Sequence, residues 1–363
     1  MTNFVLLDDI CEIKSGGTPS RNNKEYWENG TIPWIKIGDF NGKYINDCDE
    51  RITEEGLNNS SAKIFKKGTI LYTIFATIGE TAILNIDATT NQAIAGIRIM
   101  DEEKFDVDFI YYFLKSQKEN SVHNSRGVAQ NNINLSILKK YKVPNISIES
   151  QRQIAHKMEL IDNMLENRKQ QKADLEKFEE SLFYNTFGNP ETNEKGYETD
   201  VGKNLFEFTS GKFLIPEERK ETGYPVFGGN GITWYADNYL IDFKTIVIGR
   251  VGAYCGNVRT TPEKSWITDN AIFIKKYKTN KFNIDFLYYL MKTFNISRFA
   301  SFSGQPKITQ KPLNELKYII PPIKEQENFV IKIDKIKKQK EKIEKDIEDL
   351  TKMLEATMNE YFN

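Results

Sequence analysis

The chain has 363 residues, 39% hydrophobic and 12% aromatic, which suffices for two domains with cores of their own. Its net charge of −1 excludes a basic field over the whole molecule, so any contact with nucleic acid needs basic residues gathered on one face or a partner that supplies charge. Cys11, Cys48 and Cys255 are odd in number and far apart, which excludes a disulfide framework and points to a reducing, cytoplasmic setting.

The first residues carry Asp8, Asp9 and Glu12 and do not read as a secretory leader, and no apolar run is long enough for a membrane span. Phe4–Leu7 opens the first globule as a short apolar run. A glycine turn, Ser15–Ser20, follows, and then Tyr26-Trp27. Ile32–Ile37 alternates as a strand does, Thr69–Ile78 is β-branched and apolar up to Gly79, and Asn91–Ile99 reads as a further strand. Val107–Ser116 has helical spacing with Phe109, Tyr112 and Phe113. Gly127–Asn134 is a polar loop, and Tyr141–Pro144 closes the globule.

Glu149 begins a long helix whose apolar residues recur at alternating three- and four-residue steps: Ile154, Met158, Ile161, Leu165, Leu175 and Leu182, interrupted by Arg168, Lys172 and Glu179. Gly188–Gly196 has linker composition. From Tyr197 the first half repeats. Ser210-Gly211 answers Ser15-Gly16, Val251-Gly252 answers Ile78-Gly79, and Asp269–Ile272 answers Asn91–Ile94. Phe286–Tyr289 answers Phe109–Tyr112, and Gly304 with Tyr318 answers Gly127 with Tyr141. The order of these matches indicates internal duplication. A second long helix repeats the seam with Phe329, Ile333, Ile336, Ile343, Ile347, Leu350, Leu354 and Tyr361, completed by Lys340 and Thr357. So narrow a stripe needs a partner helix, which the other long helix supplies as a coiled coil. Two ordinary surface helices would show the same periodicity.

The expected organisation is therefore a globule over 1–148, a helix over 149–184, a linker over 185–196, a second globule over 197–322 and a helix over 323–363. Apolar positions and glycines match between the halves. The polar loops Ser125–Asn132 and Phe302–Thr309 do not, as expected of two reading heads with different targets, or of drift after duplication.

With these residues in view the chain resembles a specificity subunit of a type I restriction–modification system. Ser15–Ser20, Tyr26-Trp27 and Ile32–Ile35 carry the likeness in the first half, and Tyr224–Gly231 in the second. So do the two helix starts, Pro144, Glu149 and Gln151 against Pro321, Glu325 and Gln326. The first start reads as the longer of the two and lacks the double proline. The resemblance implies an α+β chain of two tandem target-recognition domains, separated by long helices that pair antiparallel. It implies a non-catalytic subunit that reads a bipartite, asymmetric site on double-stranded DNA. Two methyltransferase subunits would dock on it, and two restriction subunits can then be added. S-adenosylmethionine would belong to the methyltransferase, ATP and Mg to the restriction partner, and no cofactor to this chain.

The residues agree. The sequence has no Gly-x4-Gly-Lys-Ser/Thr loop and no Asn/Asp-Pro-Pro-aromatic tetrapeptide, and neither His123 nor His156 has zinc-ligand spacing. Glu102-Glu103-Lys104 resembles the tail of a nuclease motif but follows a strand as a solvated turn would. Base reading needs Arg, Lys, Asn, Gln, Ser or Thr on exposed loops. The candidates are Lys14, Thr18, Ser20, Arg21, Lys36, Arg126, Gln130, Asn131 and Asn132 in the first half. In the second they are Lys212, Arg250, Asn257, Arg259, Gln305 and Lys307. Trp27, Trp34 and Trp234 read as core or rim packing. Two other readings stay open: a coiled-coil scaffold that binds no DNA, and the recognition region of a fused restriction–modification enzyme.

Overall fold

A computed structural model describes residues 3–118, 133–301 and 305–362. The chain forms two compact units, Met1–Lys169 with Lys345–Asn363, and Gln170–Glu344. Each long helix is shared between the units.

In the first unit Phe4–Leu6 pairs antiparallel with Lys142–Pro144, so the globule's two ends meet. The main sheet runs, in spatial order, Cys11–Ser15, Ile94–Ile99, Ile70–Thr73, Thr81–Leu84 and Tyr44–Ile45. A three-stranded sheet sets Ile32–Ile35 between Arg51–Ile52 and Thr89–Thr90. Buried β-branched and aromatic side chains, such as Ile70, Tyr72, Ile83 and Ile97, hold the main sheet against the helix Val107–Ser116. The second unit keeps this plan. Glu198–Val201 pairs with Lys317–Ile320, and Phe206–Ser210, Ala271–Tyr277, Ile246–Gly249 and Val258–Thr260 form the main sheet. Tyr224–Gly228 lies between Gly231–Ala236 and Trp266–Ile267.

Hydrogen bonds give the correspondence between the halves residue by residue. Gly16 N–H donates to Ile94 and Gly211 N–H to Ala271, which confirms the Ser15–Ser210 match. It also moves the next one by a residue: Ala271, not Ile272, answers Ile94. Gly79 N–H donates to Thr73 and Gly256 N–H to Gly249, both glycines at φ +90°, so Gly256 and not Gly252 answers Gly79. The loop before Gly256 is longer, which letter matching does not reveal. Leu7 N–H donates to Tyr141 and Gly202 N–H to Leu316, so Leu316 and not Tyr318 stands for Tyr141. Gly127 and Gly304 lie outside the described residues, as do the loop Ser125–Asn132 and Phe302–Gly304.

The helix starts are fixed by one device used twice. Gln151 is fully buried. Its Oε1 accepts from Asp106 N–H at 3.0 Å, and its Nε2 donates to the Lys104 and Ile146 carbonyls at 2.9 Å each. Gln326 does the same with Asn283 N–H at 2.9 Å and the Lys281 and Pro321 carbonyls at 2.8 Å. Asp106 and Asn283 are the N-caps of the domain helices Val107–Ser116 and Ile284–Thr293, so each glutamine ties a long helix to the cap of a domain helix. Ile146 thus corresponds to Pro321. The two starts have the same length, and the expected extra residues in the first do not exist. Pro144 matches Ile319, and the double proline falls where the first half has Ile146-Ser147.

The long helices run Ile148–Phe187 and Ile323–Phe362. Gly188, at φ +72°, ends the first with its N–H on the Tyr184 carbonyl. Pairing is antiparallel within each unit. Lys157 meets Glu360 at 3.8 Å and Arg168 meets Asp346 at 3.1 Å in the first. In the second, Lys172 meets Glu344 at 2.7 Å, and Lys340 meets Glu176 at 3.7 Å and Glu179 at 3.4 Å. Every expected seam residue is buried or half-buried. The buried stripe is wider than the seam: Phe183 and Phe187 stack around Phe286 and Phe329, and Phe362 packs on Phe109 and Phe113 at 5.3 and 5.7 Å.

Candidate nucleic-acid interface

In the first unit the strand end at Ser15 pairs with Ala95, while the other end, Cys11 with Ile99, leads to the helix start through Lys104 and Asp106. The candidate turn Gly16–Ser20 therefore lies at the end of the sheet away from the long helix. Gly16 is required there, because a Cβ would stand 2.0 Å from Thr90 Oγ1 and 2.4 Å from the Thr90 carbonyl. Two indoles hold the turn from outside: Trp34 Nε1 donates to the Gly17 carbonyl and Trp27 Nε1 to that of Ser20, each at 3.0 Å. The rings meet edge-to-face at 5.0 Å, and Trp34 is buried.

On this platform the fold gathers Thr18, Ser20, Arg21 and Lys36. The Arg21 guanidinium stacks 3.7 Å over Trp27 and 4.5 Å from Trp34, and pairs with Glu50 at 2.5 Å. Lys36 pairs with the same carboxylate at 2.8 Å. The Lys36 ammonium, and after it the Arg21 guanidinium, hold the Glu50 carboxyl below its usual range, and Glu50 in return raises Lys36. Thr18 donates its hydroxyl to Gln92, and Ser20 is exposed. Lys14 is not part of this group. It points from mid-strand, paired with Glu12, into a cleft of about 250 Å³ shared with Lys63, Lys66 and Arg98. Arg126, Gln130, Asn131 and Asn132 lie outside the described residues.

The second unit builds the equivalent turn with one exchange. Lys212 N–H donates to the Ile267 carbonyl, as Gly17 N–H does to Thr90. The indole that donates to the turn is now Trp266, at 2.9 Å to the Lys212 carbonyl. Trp34 pairs with Thr89 across two parallel strands, and Trp266 pairs with Val226 across the corresponding two. The tryptophan has changed strands while its hydrogen bond has stayed.

Around this frame Arg250, Gln305 and Lys307 come together. Arg250 Nη1 donates to the Asp269 carbonyl at 3.1 Å, and the Arg250 carbonyl accepts from Ile308 N–H at 2.9 Å. Gly252 N–H donates to Pro306 at 3.0 Å, and a Cβ on Gly252 would lie 3.1 Å from Gln305 Nε2. Lys307 exchanges backbone hydrogen bonds with Ser301. Asn257 and Arg259 are on the following arm; Asn257 gives its carbonyl to Gly249 N–H, and Arg259 Nη1 meets the neighbouring Val258 carbonyl at 3.3 Å. Lys212 is exposed.

Sequence reading missed Glu50, Gln92 and Arg219. Trp234, read from the sequence as core or rim packing, is 46% exposed with the Arg219 guanidinium 5.2 Å from its ring centroid. The available signal was the hairpin Gly228–Gly231, which carries Trp234 on its second strand. Among the described residues no cluster of His, Cys, Asp or Glu could hold a metal ion, and no helix is long and apolar enough to cross a membrane. The three cysteines are free. Glu102 and Lys104 lie in an exposed turn, paired with Arg98 and Asp101.

Two similar loop-bearing globules, each tied by a buried glutamine to a long helix, present polar and basic side chains among the described residues. The chain is 26% identical over 356 residues to the EcoprrI type I restriction enzyme specificity subunit of Escherichia coli, covering 92% of this chain and 86% of that one. The S subunit of a type I restriction–modification system from M. genitalium has the same fold, with a TM-score of 0.62 at 21% identity over 100% of this chain and 96% of its own. A chain from a study of complex assembly in the type I R-M system gives the same TM-score at 16% identity, over 99% and 97%. The family described as "Type I restriction modification DNA specificity domain" matches residues 2–177 and again 194–352. The chain belongs to that family and carries its domain twice.

Proposed function

We propose that this chain is the non-catalytic DNA-recognition subunit of a type I restriction–modification complex, and that each globule reads one half of a bipartite, asymmetric site. The observation that carries the reading is a conserved frame under different loops. The same backbone hydrogen bonds and the same indole-to-turn bond support Thr18, Ser20, Arg21 and Lys36 in one unit, and Lys212, Arg250, Gln305 and Lys307 in the other. Arg and Lys on such loops suit guanine edges and phosphates, and Gln and Ser suit adenine edges or either base. Two methyltransferase subunits dock on the chain, restriction subunits join them, and the complex works in the cytoplasm. S-adenosylmethionine, ATP and Mg sit on those partners, so the chain alone turns over neither methyl transfer nor cleavage.

The test is selection from random duplex DNA by this chain reconstituted with its methyltransferase. The reading predicts one enriched sequence with two specified halves around an unspecified spacer. Enrichment of a single continuous block, or of nothing, would overturn it and favour the scaffold.

A further inference from the structure

The two long helices share a seam but differ along it at Arg168 against Ile343, Lys172 against Ile347 and Leu182 against Thr357, and at one further pair of positions they are complementary. Gln151 and Gln326 set the correspondence. Counted from them, Leu165 of the first helix answers Lys340 of the second, and Glu179 answers Leu354. In the first unit Leu165 and Leu354 are both buried in one apolar cluster. In the second unit the corresponding pair is Glu179 and Lys340, an ion pair at 3.4 Å inside the seam. Glu179 is buried, and its second oxygen, Oε1, has no hydrogen-bond partner. A buried, half-satisfied ion pair is a poor source of stability, and a pair of leucines would fit the seam better.

Its use becomes clear when like helices are set against each other. The halves are alike, so a second copy of the first helix could lie antiparallel on the first. That arrangement places Leu165 against Glu179 of the other copy, twice, and sets Lys172 against its own copy. Lys172 meets Glu344 in the chain as folded. Pairing two second helices places Lys340 against Leu354, also twice. Each like pairing buries two lone charges, and only the unlike pairing leaves none. We propose that Glu179 and Lys340 act as a pairing code, which makes each long helix accept the other helix of the same chain and reject a second copy of itself. The helices' apolar seams alone do not discriminate. The proposal rests on the helix pairing and not on DNA reading, so it can fail while the recognition function stands.

The test uses the full chain with two different affinity tags, co-expressed and purified through both tags in turn, so that only chains associated with a second copy are recovered. The unmodified chain should give a low mixed fraction. Glu179→Leu with Lys340→Leu makes all four positions apolar and should raise that fraction by about tenfold or more. Glu179→Lys with Lys340→Glu, combined with Glu176→Gln because Lys340 also meets Glu176, keeps the code with its signs exchanged and should stay at the unmodified level. Lys340→Leu alone makes the second helix compatible with itself, with Ile347 facing its own copy, and should also raise mixing, which keeps the test decisive if the double-leucine chain does not fold. A leucine variant that mixes no more than the unmodified chain would overturn the proposal. So would a charge-exchanged chain that mixes as freely as the leucine one.

Discussion

Replacing Gln151 with alanine should loosen the first unit and leave the second unchanged. The side chain is fully buried and makes three hydrogen bonds, to the Asp106 N–H and the Lys104 and Ile146 carbonyls. Alanine leaves all three backbone groups without that partner. At about 1 kcal/mol each, the low end for an unsatisfied buried group, the loss is about 3 kcal/mol. That is roughly a hundredfold in the opening equilibrium of the helix Val107–Ser116. Native-state hydrogen exchange reads it directly, from the amides of Phe109–Leu114 for the first unit and Phe286–Met291 for the second. Gln326→Ala should show the converse pattern. Gln151→Glu still accepts from Asp106 N–H but has nothing to donate to the two carbonyls, so it should behave like alanine. A change of less than about threefold in Phe109–Leu114 would refute the clamp. Equal loss in both units from one substitution would refute their independence.

Exchanging residues 197–322 for the equivalent domain of a relative should change one half of the recognised sequence and leave the other. A change in both halves would refute modular reading. Inserting seven residues after Arg168 and seven after Ile343, which are corresponding positions, preserves the seam and lengthens each helix by about 10 Å. Methylation mapping should show both half-sites kept and the spacer longer by about three base pairs; an unchanged spacer would mean that the helices do not set it. The folded-state pKa of Glu50 lies below its unfolded value, so its pairing with Lys36 and Arg21 contributes stability that is present above the unfolded value of 4.5 and fades as pH falls through the folded one. Denaturation of Glu50→Gln should therefore show a deficit at neutral pH that closes in acid, and a deficit independent of pH would contradict the pairing. With a net charge of −1, the chain without its methyltransferase should bind DNA weakly. Tight, specific binding by the chain alone at physiological salt would contradict this.

The long helices were legible because their apolar spacing is dictated by the helix itself. What spacing could not show is the second stripe, Phe183, Phe187, Met358 and Phe362, which faces the domain helices and the partner at once. The duplication was legible at Ser15-Gly16 and at the buried glutamines, where a backbone or side-chain hydrogen bond restricts the residue. It was misread by a residue or more at Ile94, Gly79 and Tyr141, where only the type of residue was compared and loop length differs. In the candidate interface, local sequence brought Thr18, Ser20 and Arg21 together. Their anchor, Glu50, is remote in sequence and becomes visible only when Ile32–Ile35 and Arg51–Ile52 pair. Nothing local separates Lys14, which belongs to a mid-strand position, from the turn residues that follow it.

The central claim is that one chain specifies two half-sites for methylation by its partners. Its most direct test is a map of methylated adenines across the host genome with the gene intact and with it deleted. The account predicts one bipartite sequence, methylated on both strands within its specified halves, that loses its methylation on deletion and regains it when the gene is restored. An unchanged map would contradict it, as would loss of methylation at a continuous sequence without a spacer.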